Sequence, residues 1–218
     1  MTFGRAFLYR LMTTLRHFGR RCRSNMILAF ALALGALLVA TSEGCERHGA
    51  KCPEYTVLQT HEDYEERRYP SLVWVSASGS GKSKSDVSRK LIKKLYSYLG
   101  GANSKGMNLD MMVPVRTKKV VHEGFNTYTM AIPLRPEQSH DPPQPEDVTV
   151  TVSREPEITY LVRSFGGFVR QETIWDDQAA ALRVSLQSDA AAPFYYMSVY
   201  DSPWRETDRL NEVWLLKE

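Results

Sequence analysis

One order of predicted elements occurs twice along this 218-residue chain, and few folds accommodate such a doubling. Leu72–Ser78 reads as a strand, Ser85–Leu99 as a helix, and Met112–Lys118 and Asn126–Ile132 as two further strands. Glu157–Ser164 then reads as a strand, Glu172–Gln187 as a helix, and Phe194–Tyr200 and Asn211–Leu216 as closing strands. A doubled strand–helix–strand–strand unit predicts an α+β fold, a strongly curved sheet with one helix per half. Such a shell places a small ligand in a cleft between helix and sheet. The doubling is one of element order, not of residue identity.

Tyr55–Thr60 and Tyr64–Tyr69 are expected as edge strands ahead of the first unit. The first helix carries Val87, Leu91, Leu95 and Leu99 on one stripe, with Ile92 and Tyr98 beside it. Ser85 or Asp86 can cap its start and Gly100-Gly101 its end. Its other face carries Arg89, Lys90, Lys93 and Lys94, either a solvated face or a set of cations for ligand carboxylates. The second helix places Trp175, Ala179, Leu182 and Leu186 on one stripe, with Asp176 and Asp177 in its first turn, where the helix dipole favours negative charge. Gln138–Pro145 (QSHDPPQP) marks the seam between the halves. In the loop Asp201–Asp208, Trp204 and Arg205 are candidates for the rim of a cleft, with loop packing as the equal alternative.

Ahead of the repeat lies a segment unlike the rest. Residues 1–25 hold six arginines and no acid, and Met26–Ala40 is an unbroken apolar run of 15 residues, shorter than the about 20 a spanning helix needs. Ala40-x-Ser42 fits a small-residue exit, so residues 1–42 read as a secretory signal peptide. An uncleaved signal anchor and an Arg-rich mitochondrial presequence are the competing readings, and Met26 is a second possible start. The expected location is the secretory lumen or the exterior, with a membrane contact only through a retained anchor.

The whole chain has 28 Lys+Arg and 25 Asp+Glu; without the leader, 22 cations face 25 acids, a net charge of −3. The basic balance belongs to the leader, and a nucleic-acid partner loses its support. Residues 43–54 read as a tail in which Cys45 and Cys52 can pair in an oxidising compartment. Residues 55–218 then form one domain.

Catalytic patterns are missing. Gly79-Ser80-Gly81-Lys82-Ser83 resembles the end of a phosphate-binding loop, but the position of its first glycine is Ser76. There is no Gly-x-Ser-x-Gly elbow, and His48, His61, His122 and His140 lack metal-ligand spacing. The reading is non-enzymatic; a hydrolytic alternative would need a buried carboxylate in the cleft, with Glu172 and Glu212 the ones to inspect.

Several segments nevertheless occur in a known order. Tyr64-Glu65-Glu66-Arg67-Arg68-Tyr69 with Trp74-Val75-Ser76, then Gly106 to Val115 (GMNLDMMVPV), Asp141-Pro142-Pro143, Arg163 to Phe168 (RSFGGF) and Asn211 to Leu215 (NEVWL) together resemble the SOUL haem-binding protein family. The resemblance covers nearly all of Tyr55–Lys217. It implies a distorted antiparallel β-barrel flanked by two helices. It also implies binding of haem or a related tetrapyrrole in an open apolar cleft, for carriage or sequestration without turnover. By the same resemblance the cleft lies beside the first helix and the last loop, with Arg89, Ile92, Lys93, Tyr96, Trp204 and Arg205 as its contact residues. Trp74-Val75-Ser76 and Arg163-Ser164-Phe165 incline the likeness to the family branch that carries a histidine, proposed as iron ligand, just before the tyrosine of the opening segment. Here that position is Arg68, and a guanidinium has no lone pair to give. Haem would then be held non-covalently, without a histidine bond. The substitution also motivates an alternative, a protein-interaction module that has lost haem.

Overall fold

The structure is a computed structural model, and it describes residues 45–186 and 194–217. The leader, Gln187 and the segment up to residue 193 lie outside the described residues.

The strands are β1 (Glu46–Arg47), β2 (Ala50–Lys51), β3 (Thr56–Thr60), β4 (Glu65–Tyr69) and β5 (Leu72–Gly81), followed by helix α1 (Lys84–Leu99). Then come β6 (Val115–His122), β7 (Phe125–Pro133), the single turn α2 (Pro136–Ser139), β8 (Val150–Glu155) and β9 (Ile158–Gly166). Helix α3 (Glu172–Ser185), β10 (Tyr195–Val199) and β11 (Leu210–Leu216) complete the chain.

Nine strands form one curled antiparallel half-barrel in the order β3-β4-β9-β11-β10-β6-β7-β5-β8. Its middle is a palindrome. In each half the third strand lies between the first and the second, and the two second strands, β6 and β10, meet at the centre through Met197 opposite Thr117. The doubled unit is therefore physical. The strands that lead into the two halves are exchanged: β4 pairs with β9, and β8 pairs with β5.

Alternation along each strand separates two packed faces. Val73, Val75, Tyr128, Ile132, Met197 and Val213 face α1 and α3 and meet Leu91, Leu95, Trp175 and Leu182. The opposite face gathers Tyr69, Trp74, Tyr160 and Trp214 into an aromatic cluster. A residue such as Trp74, between Val73 and Val75, belongs to this second face because successive side chains point to opposite sides.

The elements depart from the sequence reading at identifiable residues. Pro114 has no N–H to give a ladder, so β6 begins at Val115 rather than Met112. The cap of α1 is Ser83, not Ser85 or Asp86; Asp86 sits at the third helical position, and its carboxylate accepts the Ser83 N–H at 2.8 Å. This bond also holds Asp86 below the usual carboxylate range. Gly79-Ser80-Gly81 lies inside β5, not in a phosphate-binding loop. A Cβ on Gly81 would stand 2.9 Å from that of Asp86, so the glycine lets the strand approach the helix start. Strand β8 and the hairpin β1–β2 were not anticipated.

Candidate functional site

Helix α1 positions the candidate site. Val87, Leu91, Leu95, Tyr98 and Leu99 are buried against the sheet, which fixes the rotation of the helix. The expected cleft between helix and sheet is filled by these side chains and those of β5 and β7. The open space lies on the outward flank of α1 instead. There Arg89, Ile92, Lys93 and Tyr96 line one shallow groove, widely open to solvent, that ends at Ser97, Gly100 and Ala102. Their spacing of three and four residues places them on one helical face, so the four helix candidates come together. Ile92 supplies the apolar floor, packed against the core. Tyr96 is 48% exposed.

A second hollow of about 300 Å3 lies on the neighbouring flank, where Lys90, Lys93 and Lys94 face Pro145, Asp147 and Val150. Lys94 is already committed, its ammonium 3.2 Å from Asp147. Hydrogen bonds from Thr149 and the nearby Lys94 hold the Asp147 carboxyl at about 2. Lys93 lines both hollows, and Arg89, Lys90 and Lys93 have no ion pair among the described residues. The groove thus combines an apolar floor, an aromatic ring and uncommitted cations, an arrangement suited to a flat apolar anion.

Trp204 and Arg205 do not line this groove. Trp204 is 89% exposed, and Arg205 stands 3.8 Å from the buried Asp201 carboxylate. That carboxylate also faces Arg47 at 3.5 Å and His48 at 3.3 Å, and its other oxygen accepts the Leu210 N–H. The last loop is therefore tied to the β1–β2 hairpin. Arg68 is exposed on β4, opposite Thr56 and Thr159. No histidine lines the groove, and no cluster of three metal-binding side chains occurs among the described residues.

The two carboxylates relevant to a hydrolytic reading are both engaged. Glu212, 2% exposed, accepts from Arg67 at 2.8 Å, Tyr200 at 2.7 Å, Trp214 at 2.7 Å and Ser164 at 3.1 Å. Burial alone would lower Arg67, but Glu212 and the adjoining phenols hold its guanidinium above its ordinary value. Glu172 accepts from the Lys84 backbone N–H at 2.6 Å and the Tyr128 hydroxyl at 2.7 Å, and it pairs with Lys119 at 2.9 Å. Burial pushes its carboxyl up, and these donors together bring it below the usual range. Both carboxylates thus spend their acceptor oxygens on donors of the fold itself. Asp176, accounted for in sequence by the helix dipole alone, also accepts from Lys119 at 2.8 Å and Tyr195 at 2.6 Å.

The sequence reading missed a further arrangement on the aromatic face. The Arg116 guanidinium lies 3.8 Å from the centre of the Trp74 ring and 4.3 Å from that of Tyr196. It also donates to both Glu155 oxygens and to the Tyr160 hydroxyl. The only sequence signal was a charged residue on a strand, which alternation assigns to either face.

Comparison with known proteins agrees with this architecture. The chain is 32% identical over 190 residues to Heme-binding protein 2 of Homo sapiens, spanning 84% of this chain and 92% of that protein. It is 31% identical over 159 residues to Heme-binding protein 1 of Xenopus tropicalis, spanning 71% and 83%. Among solved structures, the EcmrR C-terminal domain is similar in fold, with a TM-score of 0.52 at 13% identity over 71% of this chain and 98% of that one. The family match itself runs from residue 50 to residue 216, the whole nine-stranded sheet and both long helices, and on it the chain belongs to the SOUL heme-binding protein family.

Proposed function

We propose that this protein binds haem or a related tetrapyrrole non-covalently, for carriage or sequestration and without turnover, in the open groove on the outward flank of α1. The observation that carries this reading is the joint lining of that groove by Arg89, Ile92, Lys93 and Tyr96. A tetrapyrrole presents a broad apolar face and carboxylates at one edge. Burial of that face against Ile92 and the Tyr96 ring is favourable by about 25 cal/mol per Å2. Arg89 and Lys93 meet the carboxylates, each exposed pair adding about 0.2–1 kcal/mol. With no histidine in the groove, the protein orients the ring through its faces and edge, and the iron keeps its solvent-side chemistry.

The relatives' printed names support haem as the ligand. Export by the Arg-rich leader is supported by the Cys45–Cys52 disulfide, a bond at home in an oxidising compartment. Titration of the protein with haemin, followed in the Soret band, tests the function. A saturable shift at micromolar protein that weakens in an Arg89→Ala/Lys93→Ala variant is the expected result. An unchanged Soret band refutes it and favours the protein-interaction module. Mass spectrometry of the secreted product tests the leader, with Glu43 as the expected first residue.

A further inference from the structure

The outward flank of α1 carries charge against the sign of its own domain. Beyond the leader the chain has a net charge of −3, yet Arg89, Lys90 and Lys93 stand exposed on this flank with no ion pair among the described residues. Asp86, the one acid of α1, is spent at the helix start on the Ser83 N–H. Asp147, the one acid lining either hollow, is paired with Lys94. We propose that this flank is a docking face for an anionic bilayer, seated so that the groove opens toward the lipid.

Charge is the first reason for this occupant. A basic helical face is complementary to anionic headgroups, and each Lys or Arg near such a surface strengthens attachment about five-fold. Ile92 and the half-exposed Tyr96 share the face with the cations. Tyrosine suits the headgroup level, where its ring is apolar and its hydroxyl wet.

Coverage is the second reason, and it rests on the haem reading above. Small-molecule sites bury about 70–90% of a ligand's surface. A shallow groove on one helix flank meets a flat ring on one face only, so the other apolar face needs a cover. A second copy of the chain is a poor one: it sets each of these cations against its own counterpart, with only the two carboxylates of a haem to offset them. A bilayer covers that face with apolar chain. Its phosphates also meet the cations that the ring leaves over, above all Lys90, which lines the second hollow and not the groove. The ring then passes between lipid and protein without crossing water.

The contact is made without the leader, so the full chain serves for the test if the two regions are read separately. The full chain is photo-crosslinked on vesicles of phosphatidylcholine with phosphatidylserine, and on phosphatidylcholine alone. Both carry a lipid with a diazirine at the headgroup–acyl boundary. Adducts are mapped by mass spectrometry, those on the leader counted apart. The expected result is adducts between Ile92 and Tyr96 on the anionic vesicles, reduced at least five-fold on phosphatidylcholine alone and by added salt. Lys90→Ala reduces them about five-fold and leaves the Soret titration in solution unchanged. Absence of adducts on α1 overturns the proposal, whether or not the leader is labelled. Equal labelling on neutral vesicles overturns it too, as does equal labelling of an Arg89→Ala/Lys90→Ala/Lys93→Ala variant. A haemin-loaded chain that sediments as a dimer sharing one ring also overturns it, since a second copy is then the cover. A Soret shift without α1 adducts sinks the docking alone, and α1 adducts without a Soret shift sink the haem reading alone.

Discussion

Arg67 on β4 reaches over the intervening strand β9 to donate to Glu212 on β11 at 2.8 Å. Both side chains are buried, and Tyr200, Trp214 and Ser164 complete the shell of the carboxylate. Replacing Glu212 by leucine takes from the buried guanidinium one of its two carboxylate partners, leaving Glu65 at 2.7 Å from its Nε, and strands three further donors. The expected cost is about 3–5 kcal/mol, read as a lower urea midpoint. Adding Arg67→Met to Glu212→Leu recovers part of the loss, because the buried charge that kept only Glu65 as a carboxylate partner is gone.

On the groove, Arg89→Ala and Lys93→Ala are expected to weaken haemin binding two- to five-fold each, consistent with about 0.2–1 kcal/mol per exposed pair. The wild-type affinity falls with added salt, and the double variant flattens that dependence. Tyr96→Ala weakens binding more than Tyr96→Phe, since the ring face and not the hydroxyl makes the contact. Soret titrations at two ionic strengths measure all three effects.

Lys84 gives a pH signature. Burial lowers its ammonium to about 8, against the pull of Glu172, while the charge rests 5.4 Å from the centre of the Trp175 ring. The unfolded chain keeps that proton up to about 10.4. Between these values the unfolded state binds the extra proton, so this residue's contribution to stability rises with pH across that window. Below about 8 both states are charged and the fold bears the full burial cost. Lys84→Met is therefore expected to stabilise at pH 7, by about 1 kcal/mol once solvent screening is allowed for. The gain shrinks toward pH 10, as urea midpoints at the two pH values would register.

Reduction of Cys45–Cys52 is expected to loosen the hairpin without unfolding the barrel, because the core clusters on both sheet faces lie elsewhere. The Val113 amide, bonded to the Lys51 carbonyl, should lose hydrogen-exchange protection on reduction. The Asp201–Asp208 loop should follow, since Arg47 and His48 of the hairpin face its buried carboxylate. Amides of β7 should keep their protection.

The doubled unit and both helical stripes were legible because each rests on a local period. Val87, Leu91 and Leu95 recur at helical spacing, and all three are buried. Of the helical groove residues, only the cations Arg89 and Lys93 were read from the pattern of α1; Ile92 and Tyr96 were named through the family resemblance. What escaped rests on contacts between residues far apart in the chain. Arg135 and Leu72 share a cleft across 63 positions, and nothing in either neighbourhood announces it. Trp204 and Arg205 were placed with α1 through resemblance, whereas the hairpin that ties down their loop is formed by two-residue strands with no readable period. Strand β8 carries Val150 and Val152 in alternation but follows directly on the proline-bearing seam, which conceals it.

The exchange of leading strands has a consequence for how the molecule holds together. With β4 seated beside β9 and β8 beside β5, each half lends a strand to the other's sheet. A protease nick in the stretch between Gln138 and Pro145 would sever the polypeptide yet leave two interlocked pieces. Fragments made separately should complement one another, while either piece alone would expose an unmated strand edge and seek a second copy of itself.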